Sequence, residues 1–145
     1  MKVSDGAGDG ALIEVCADAE LVLAGNNSVR VSGGGTVSGG TICDGTISVV
    51  YDPVSRQVVG DVPTVTSAFS GRTMVDLGLP ADFVFERPFP KGLRVMKYEG
   101  TAPLDLSAFR LANAKALEVS TAFSLVDGYV VMDVESLRGM VLVVR

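Results

Sequence analysis

The feature that most constrains this chain is a run of very short apolar-alternating segments, Leu12 to Val50, separated by glycine-rich corners. Ile13-Glu14-Val15, Leu21-Val22-Leu23, Val29-Arg30-Val31, Thr36-Val37 and Thr46-Ile47-Ser48-Val49 each read as one β-strand. Asp18, Gly25-Asn26-Asn27, Gly33-Gly34-Gly35, Gly39-Gly40 and Asp44-Gly45 fall between them. Strands this short bury almost nothing alone, so they must stack on neighbours. The alternation sends Ile13, Val15, Leu21, Leu23, Val29, Val31, Val37, Ile42, Ile47 and Val49 inward and leaves Glu14, Glu20, Arg30 and Ser48 to solvent. Strand starts recur about every 8 residues, as in repetitive short-strand folds. Ten of the 17 glycines lie in the first 50 residues, a density that suits corners requiring a positive φ.

At 145 residues the chain is one domain, and six Phe, three Tyr and no Trp among many Val, Thr and Gly favour strands. Residues 1–11 read as a Gly-rich lead-in, 12–50 as short rungs, and 51–145 as longer strands with a C-terminal cap. Tyr51 to Val58 reads as strand, turn, strand around Asp52-Pro53. Val62 to Phe69, Thr73 to Leu77 and Leu93 to Tyr98 read as strands, and Phe83–Pro90 as an irregular crossing or edge strand. Ser107 to Leu117 is the one helical stretch, with Ser107 as its cap. Near the end, Asp127-Gly128 joins two alternating runs and sets Leu125 against Val130, Phe123 against Met132 and Thr121 against Val134. A last strand, Met140 to Val144, is apolar on both faces.

Two stretches carry a resemblance. Ala19 to Val29, followed by Gly34-Gly35-Thr36-Val37-Ser38-Gly39-Gly40-Thr41-Ile42, resembles the passenger-type β-helix repeats of bacterial autotransporter-like surface proteins. Leu104 to Ser107 and Leu125 to Val131 resemble the segment that closes such passengers. The resemblance implies a right-handed parallel β-helix and a secreted or outer-surface, non-enzymatic, fibrous or adhesin-like role. The expected fold is therefore all-β: a right-handed parallel β-solenoid with longer strands and an antiparallel hairpin at its C-terminal end. A β-sandwich is the rival, because Asp127-Gly128 and Asp52-Pro53 both favour antiparallel pairing.

Chemistry is sparse in this sequence. With no histidine, serine–histidine and cysteine–histidine machinery is absent, and two cysteines are too few for a structural zinc site. Gly6-Ala7-Gly8-Asp9-Gly10-Ala11-Leu12 partly echoes a calcium-binding nonapeptide, but no second copy follows. Gly33-Gly34-Gly35 lacks the Lys-Ser/Thr of a phosphate loop, and Asn26-Asn27-Ser28 meets the glycosylation pattern yet reads as a corner. Asp61, Arg72, Asp76 and Asp82 are the nearest approach to the acid–base set of a carbohydrate-active β-helix enzyme. Acids beside turns are ordinarily solvated, so the expectation is a protein without catalysis and without a cofactor or metal.

The partners expected are other copies of the chain or adjoining solenoid repeats, and surface glycans, for which Tyr51, Tyr98 and Tyr129 are the available tyrosines. A net charge of −5 with scattered Lys and Arg points away from nucleic acid, and no apolar run reaches membrane-spanning length. Cys16 and Cys43 lie on the outer face and are compatible with one disulfide or with two unpaired small residues. Together with the resemblance, they favour an extracellular or cell-surface home. Met1 to Gly6 has no apolar signal core, which keeps a cytoplasmic β-helical filament as the alternative.

Overall fold

The structure, a computed structural model, describes residues 12–136. Within it the chain passes repeatedly across three sheets. The first circuit is β1 (Leu12–Glu14), β2 (Glu20–Val22) and β3 (Asn26–Asn27), and the second is β4 (Arg30–Ser32), β5 (Thr36–Ser38) and β6 (Thr41–Cys43). The third is β7 (Thr46–Ser48), a hairpin of β8 (Val50–Asp52) and β9 (Gln57–Val59), then β10 (Thr64–Val65) and β11 (Ala68–Ser70). The fourth has β12 (Thr73–Asp76) and β13 (Leu93–Tyr98). After β14 (Phe109–Leu111) and a short helix α1 (Ala114–Leu117), the chain ends its described course in β15 (Val119–Val126) and β16 (Tyr129–Ser136).

Sheet one runs β1-β4-β7-β12-β14, sheet two runs β15-β16-β13-β10-β5-β2, and sheet three runs β11-β6-β3. All neighbours are parallel except β13–β16 and β15–β16. The molecule is thus all-β with parallel sheets and an antiparallel C-terminal part. Parallel pairing of β1, β4 and β7 is not the pairing of an antiparallel sandwich.

Register explains the core. Val31, Ile47, Val75 and Leu111 stand beside one another in sheet one, and Leu21, Val37 and Val65 do the same in sheet two. All seven are buried, as is every residue of the expected inward set except half-buried Ile13. Each such side chain contributes about 1.5–3 kcal/mol, and only because the rungs above and below cover it. At the C-terminal end, Phe109 packs 5.7 Å from Phe69 on one side and 5.7 Å from Phe123 of the β15–β16 hairpin on the other. That hairpin has the expected register, with Asp127 and Gly128 both at positive φ in its two-residue turn.

Four local expectations change. Gly25-Asn26-Asn27 is more than a corner: Asn26 and Asn27 pair with Thr41 and Ile42 as β3, and the buried Asn27 amide donates to Ala24 O at 2.9 Å. Val62 to Phe69 is two strands, because the chain turns at buried Ser67, whose hydroxyl donates to Gly39 O at 2.6 Å. The stretch from Ser107 to Leu117 is α-helical only over α1. Phe109 and Leu111 are buried as β14 beside β12, and burial there outweighs the helix propensity of the alanines. Asp105, not Ser107, accepts the capping hydrogen bond of the single 3-10 turn at Leu106–Ala108. The Phe83–Pro90 crossing contains no strand. The lead-in at 1–11, with all but Leu12 of the calcium echo, and the strand at Met140 to Val144 lie outside the described residues.

Corner geometry is unforgiving where two rungs touch. Gly33 has φ +89°, and a Cβ there would fall 2.4 Å from Val15 O, whereas Gly60, at φ +77°, has nothing within 4 Å. Gly33→Ala is therefore expected to cost about 3 kcal/mol through strain and overpacking, and Gly60→Ala about 1 kcal/mol through strain alone. Denaturant midpoints of the two variants check this, and equal shifts would contradict it.

Candidate functional site

Two long insertions leave the fold at the same corner. Between sheet one and sheet two the first circuit turns through residues 15–19 and the second through 33–35, but the third uses 49–63 and the fourth 77–92. The two insertions pack on each other as one outgrowth. In the first, β8 and β9 pair antiparallel with Tyr51 opposite Val58 and Asp52 opposite Gln57, as the Asp52-Pro53 turn leads one to expect. The Asp52 carboxylate accepts from the Val54 and Ser55 amides at 3.3 and 3.2 Å. The Ser55 hydroxyl and then these amides hold its pKa below the ordinary carboxylate value. Arg56, at φ +61°, reaches across to the second insertion and donates to Glu86 O at 2.6 Å.

An aromatic cluster joins the two pieces. Buried Tyr51 lies 5.6 Å from Phe85 and 6.3 Å from Phe83, Phe83 and Phe85 meet edge to face at 5.0 Å, and Phe85 and Phe89 at 6.5 Å. The Arg87 guanidinium stands 5.6 Å over the Phe89 ring. On one flank the outgrowth closes a cavity of about 460 Å3, walled by Phe83, Phe85 and Leu117 and rimmed by Asp82, Arg87 and Glu118. On the other flank lies a groove of about 440 Å3 bearing Glu14, Cys16, Ser32, Ser48 and Asp61. An adjoining recess of about 370 Å3 shares Asp61 and Gly34 with it and adds Arg94 and Tyr129. Asp61 crosses so closely over Gly34 that a Cβ at 34 would sit 2.5 Å from the Asp61 Cβ. Arg94 stacks 4.6 Å from the Tyr129 ring centre. The cavity suits a flat or apolar group held by rim charges, and the groove with its adjoining recess offers hydroxyls, carboxylates and one guanidinium for polar contacts.

The expected acid–base set does not assemble. Asp61 lies in the groove and Asp82 at the cavity on the opposite flank. Asp76 pairs with Arg30 at 3.8 Å and accepts from Gly78 N, while the Arg72 amide donates to Asp44 at another corner. The tyrosines are equally dispersed: Tyr51 is inside the outgrowth, the half-buried Tyr98 donates to Ala102 O at 2.5 Å beside Phe69, and Tyr129 carries Arg94. They form no common platform for a sugar. Cys16 and Cys43 are separate free thiols, exposed and half-buried respectively, so the disulfide option is not taken up in this structure. Among the described residues no group of three or more His, Cys, Asp or Glu could hold a metal ion, and no helix is long and apolar enough to cross a membrane. The residues that sequence reasoning missed are Arg56, Phe83, Phe85 and Phe89. A proline-flanked aromatic run between Pro80 and Pro90 was the signal for them.

Comparison with family models, with curated proteins and with solved structures gave no match.

Burial raises the phenol pKa of Tyr51 and of Tyr98 above the ordinary value near 10. A folded pKa above the unfolded one favours the neutral phenol in the fold. The associated stability is complete below pH 10 and is lost as pH rises through the folded values. Alkaline titration of tyrosinate absorbance should show late-titrating phenol that diminishes in Tyr51→Phe, and titration of all tyrosines at the ordinary value would contradict it. A thiol assay without reductant should count two thiols, Cys16 reacting faster than Cys43. A count of zero would restore the disulfide.

Proposed function

We propose that this chain is a non-catalytic structural or adhesive module: a right-handed parallel β-solenoid of a bacterial surface or secreted protein, akin to autotransporter passenger repeats, that associates end to end. The observation that carries this reading is the rotation of short in-register strands through three sheets that are parallel apart from the β13–β16 and β15–β16 pairs. Such rungs are completed only by further rungs, so the natural partner of an end is another copy or an adjoining repeat. Among the described strands the whole first circuit, β1, β2 and β3, has a neighbour on one side only, as have β14, β15 and β11 at the other end, and on this reading the first circuit is the joining end. The dispersal of Asp61, Arg72, Asp76 and Asp82 supports a role without catalysis. The same stacking would serve a cytoplasmic filament, and the resemblance favours the surface.

A second reading has one observation in its favour. The groove beside the outgrowth gathers Glu14, Ser32, Ser48, Asp61 and, in its adjoining recess, Arg94, the polar types that hold a sugar's hydroxyls. On that reading the module binds glycans there rather than on its tyrosines.

The stacking account is tested on the edge of β2. Ala19 O and Leu23 N bond to Thr36 and Ser38 on β5, so strand alternation turns the Val22 amide toward the side on which β2 has no neighbour among the described strands. Purified protein should form multimers that grow with concentration by light scattering and negative-stain microscopy. Val22→Pro should reduce them with an unchanged circular dichroism spectrum. A strictly monomeric protein whose glycan binding is lost in Arg94→Ala would sink stacking in favour of the binding module.

A further inference from the structure

The C-terminal edge of sheet two differs from every other sheet edge. β15 has eight residues, whereas β1, β2, β3, β11 and β14, the remaining edges of the three sheets, have three or fewer. Short edges recruit partners poorly, and a long flat one is normally blunted by charge, proline or a bulge. β15 has none of these: residues 119–126, Val-Ser-Thr-Ala-Phe-Ser-Leu-Val, carry no charge, no proline and no glycine, and pair with β16 without a register shift.

Among the described residues half of its backbone is used. Val126 and Tyr129 close a two-residue turn, so Val126, Ser124 and Ala122 make the hydrogen-bonded pairs with β16. The amides and carbonyls of Leu125, Phe123 and Thr121 then point away from β16. Among the described residues these three make no further backbone hydrogen bond. Ala122, Ser124, Leu125 and Val126 are exposed, Leu125 by 49% and Val126 by 47%, on a stretch that otherwise has the composition of an interior strand.

We infer that the outer edge of β15 is a pairing surface for a second copy of this chain, the two β15 strands lying antiparallel across a two-fold axis. The edge is complementary to itself. Centred on Phe123, the pairing sets Leu125 against the partner's Thr121 and covers the exposed leucine. Within residues 119–126 no charge meets a like charge, and about six main-chain hydrogen bonds form from the three outward residues of each copy. A two-fold contact of this kind is closed and joins the two six-stranded sheets into one. The inference does not rest on end-to-end stacking, which uses the opposite edge of sheet two.

The test uses the full chain and two charged double variants on the exposed positions, Ala122→Lys/Ser124→Lys and Ala122→Glu/Ser124→Glu. In the antiparallel pair, position 122 of one copy meets 124 of the other, so each variant sets like charges together. Sedimentation velocity should show a dimer for the wild-type chain at concentrations below those at which larger end-to-end multimers grow. Each variant alone should dissociate at least about tenfold more readily, and an equal mixture of the two should dimerise again. The restored mixed dimer separates edge repulsion from misfolding. Val22→Pro should leave the dimer intact. Three outcomes would overturn the inference: a wild-type chain that stays monomeric at high concentration, its edge being covered by residues 137–145 of the same chain or left bare; dimers that persist unchanged in both charged variants; or variants that do not recover on mixing.

Discussion

The interaction on which this structure depends is the in-register hydrogen bonding of one three-residue strand to the next. A strand of that length cannot pair with itself, and its single inward side chain cannot bury itself. Val31 is fully buried because Ile47 stands beside it in register, and Ile47 because Val75 does. Slipping one rung by a residue would put Arg30 or Ser32 where Val31 belongs, so register and burial are one constraint. This is why the corners matter as much as the strands. They carry the chain from one sheet to the next, and their backbones bond to one another, as Gly35 N does to Val15 O at 2.8 Å and Thr41 N to Gly25 O at 2.8 Å.

Against that constraint, the outgrowth is where the chain has freedom. Leu12 stacks beside Arg30 and Arg30 beside Thr46, but Thr46 stacks beside Met74 and Thr73 beside Phe109. The sequence distance between neighbouring rungs roughly doubles with no change in the pairing itself. A doubled loop costs only about 0.6 kcal/mol in closure entropy, a cost that the packing of Tyr51, Phe83 and Phe85 readily offsets. The cavity and the groove exist because the added residues had to pack on something, and the insertion beside them was the nearest surface.

What could be read in the sequence follows from the range of the interaction responsible. The alternation of Val29-Arg30-Val31 and Thr46-Ile47-Ser48 is local, and it correctly assigned the interior. The turn Asp127-Gly128 is local too, and it fixed the hairpin register from Thr121 to Val134. The split of Val62 to Phe69 was not legible, because the turn at Ser67 depends on a carbonyl 28 residues away, Gly39 O. Nor was the fate of Phe109 and Leu111, whose helical context yields to a sheet edge built by Thr73 and Val75. The candidate site was the least legible part. Its walls come from two insertions and the start of the C-terminal hairpin, and no spacing within any one of them announces that they meet.

The concentration of length variation at one corner also bears on how such a chain can change over time. A residue added within a rung disturbs every rung stacked on it, whereas residues added between sheet one and sheet two leave the register of both sheets untouched. The 49–63 insertion, whose tip at Val54 is almost wholly exposed, is therefore a place where sequence can drift, lengthen or be exchanged while the stacked body stays as it is. The fold separates what must be kept from what is open to revision, and it keeps the two on different sides of the same molecule.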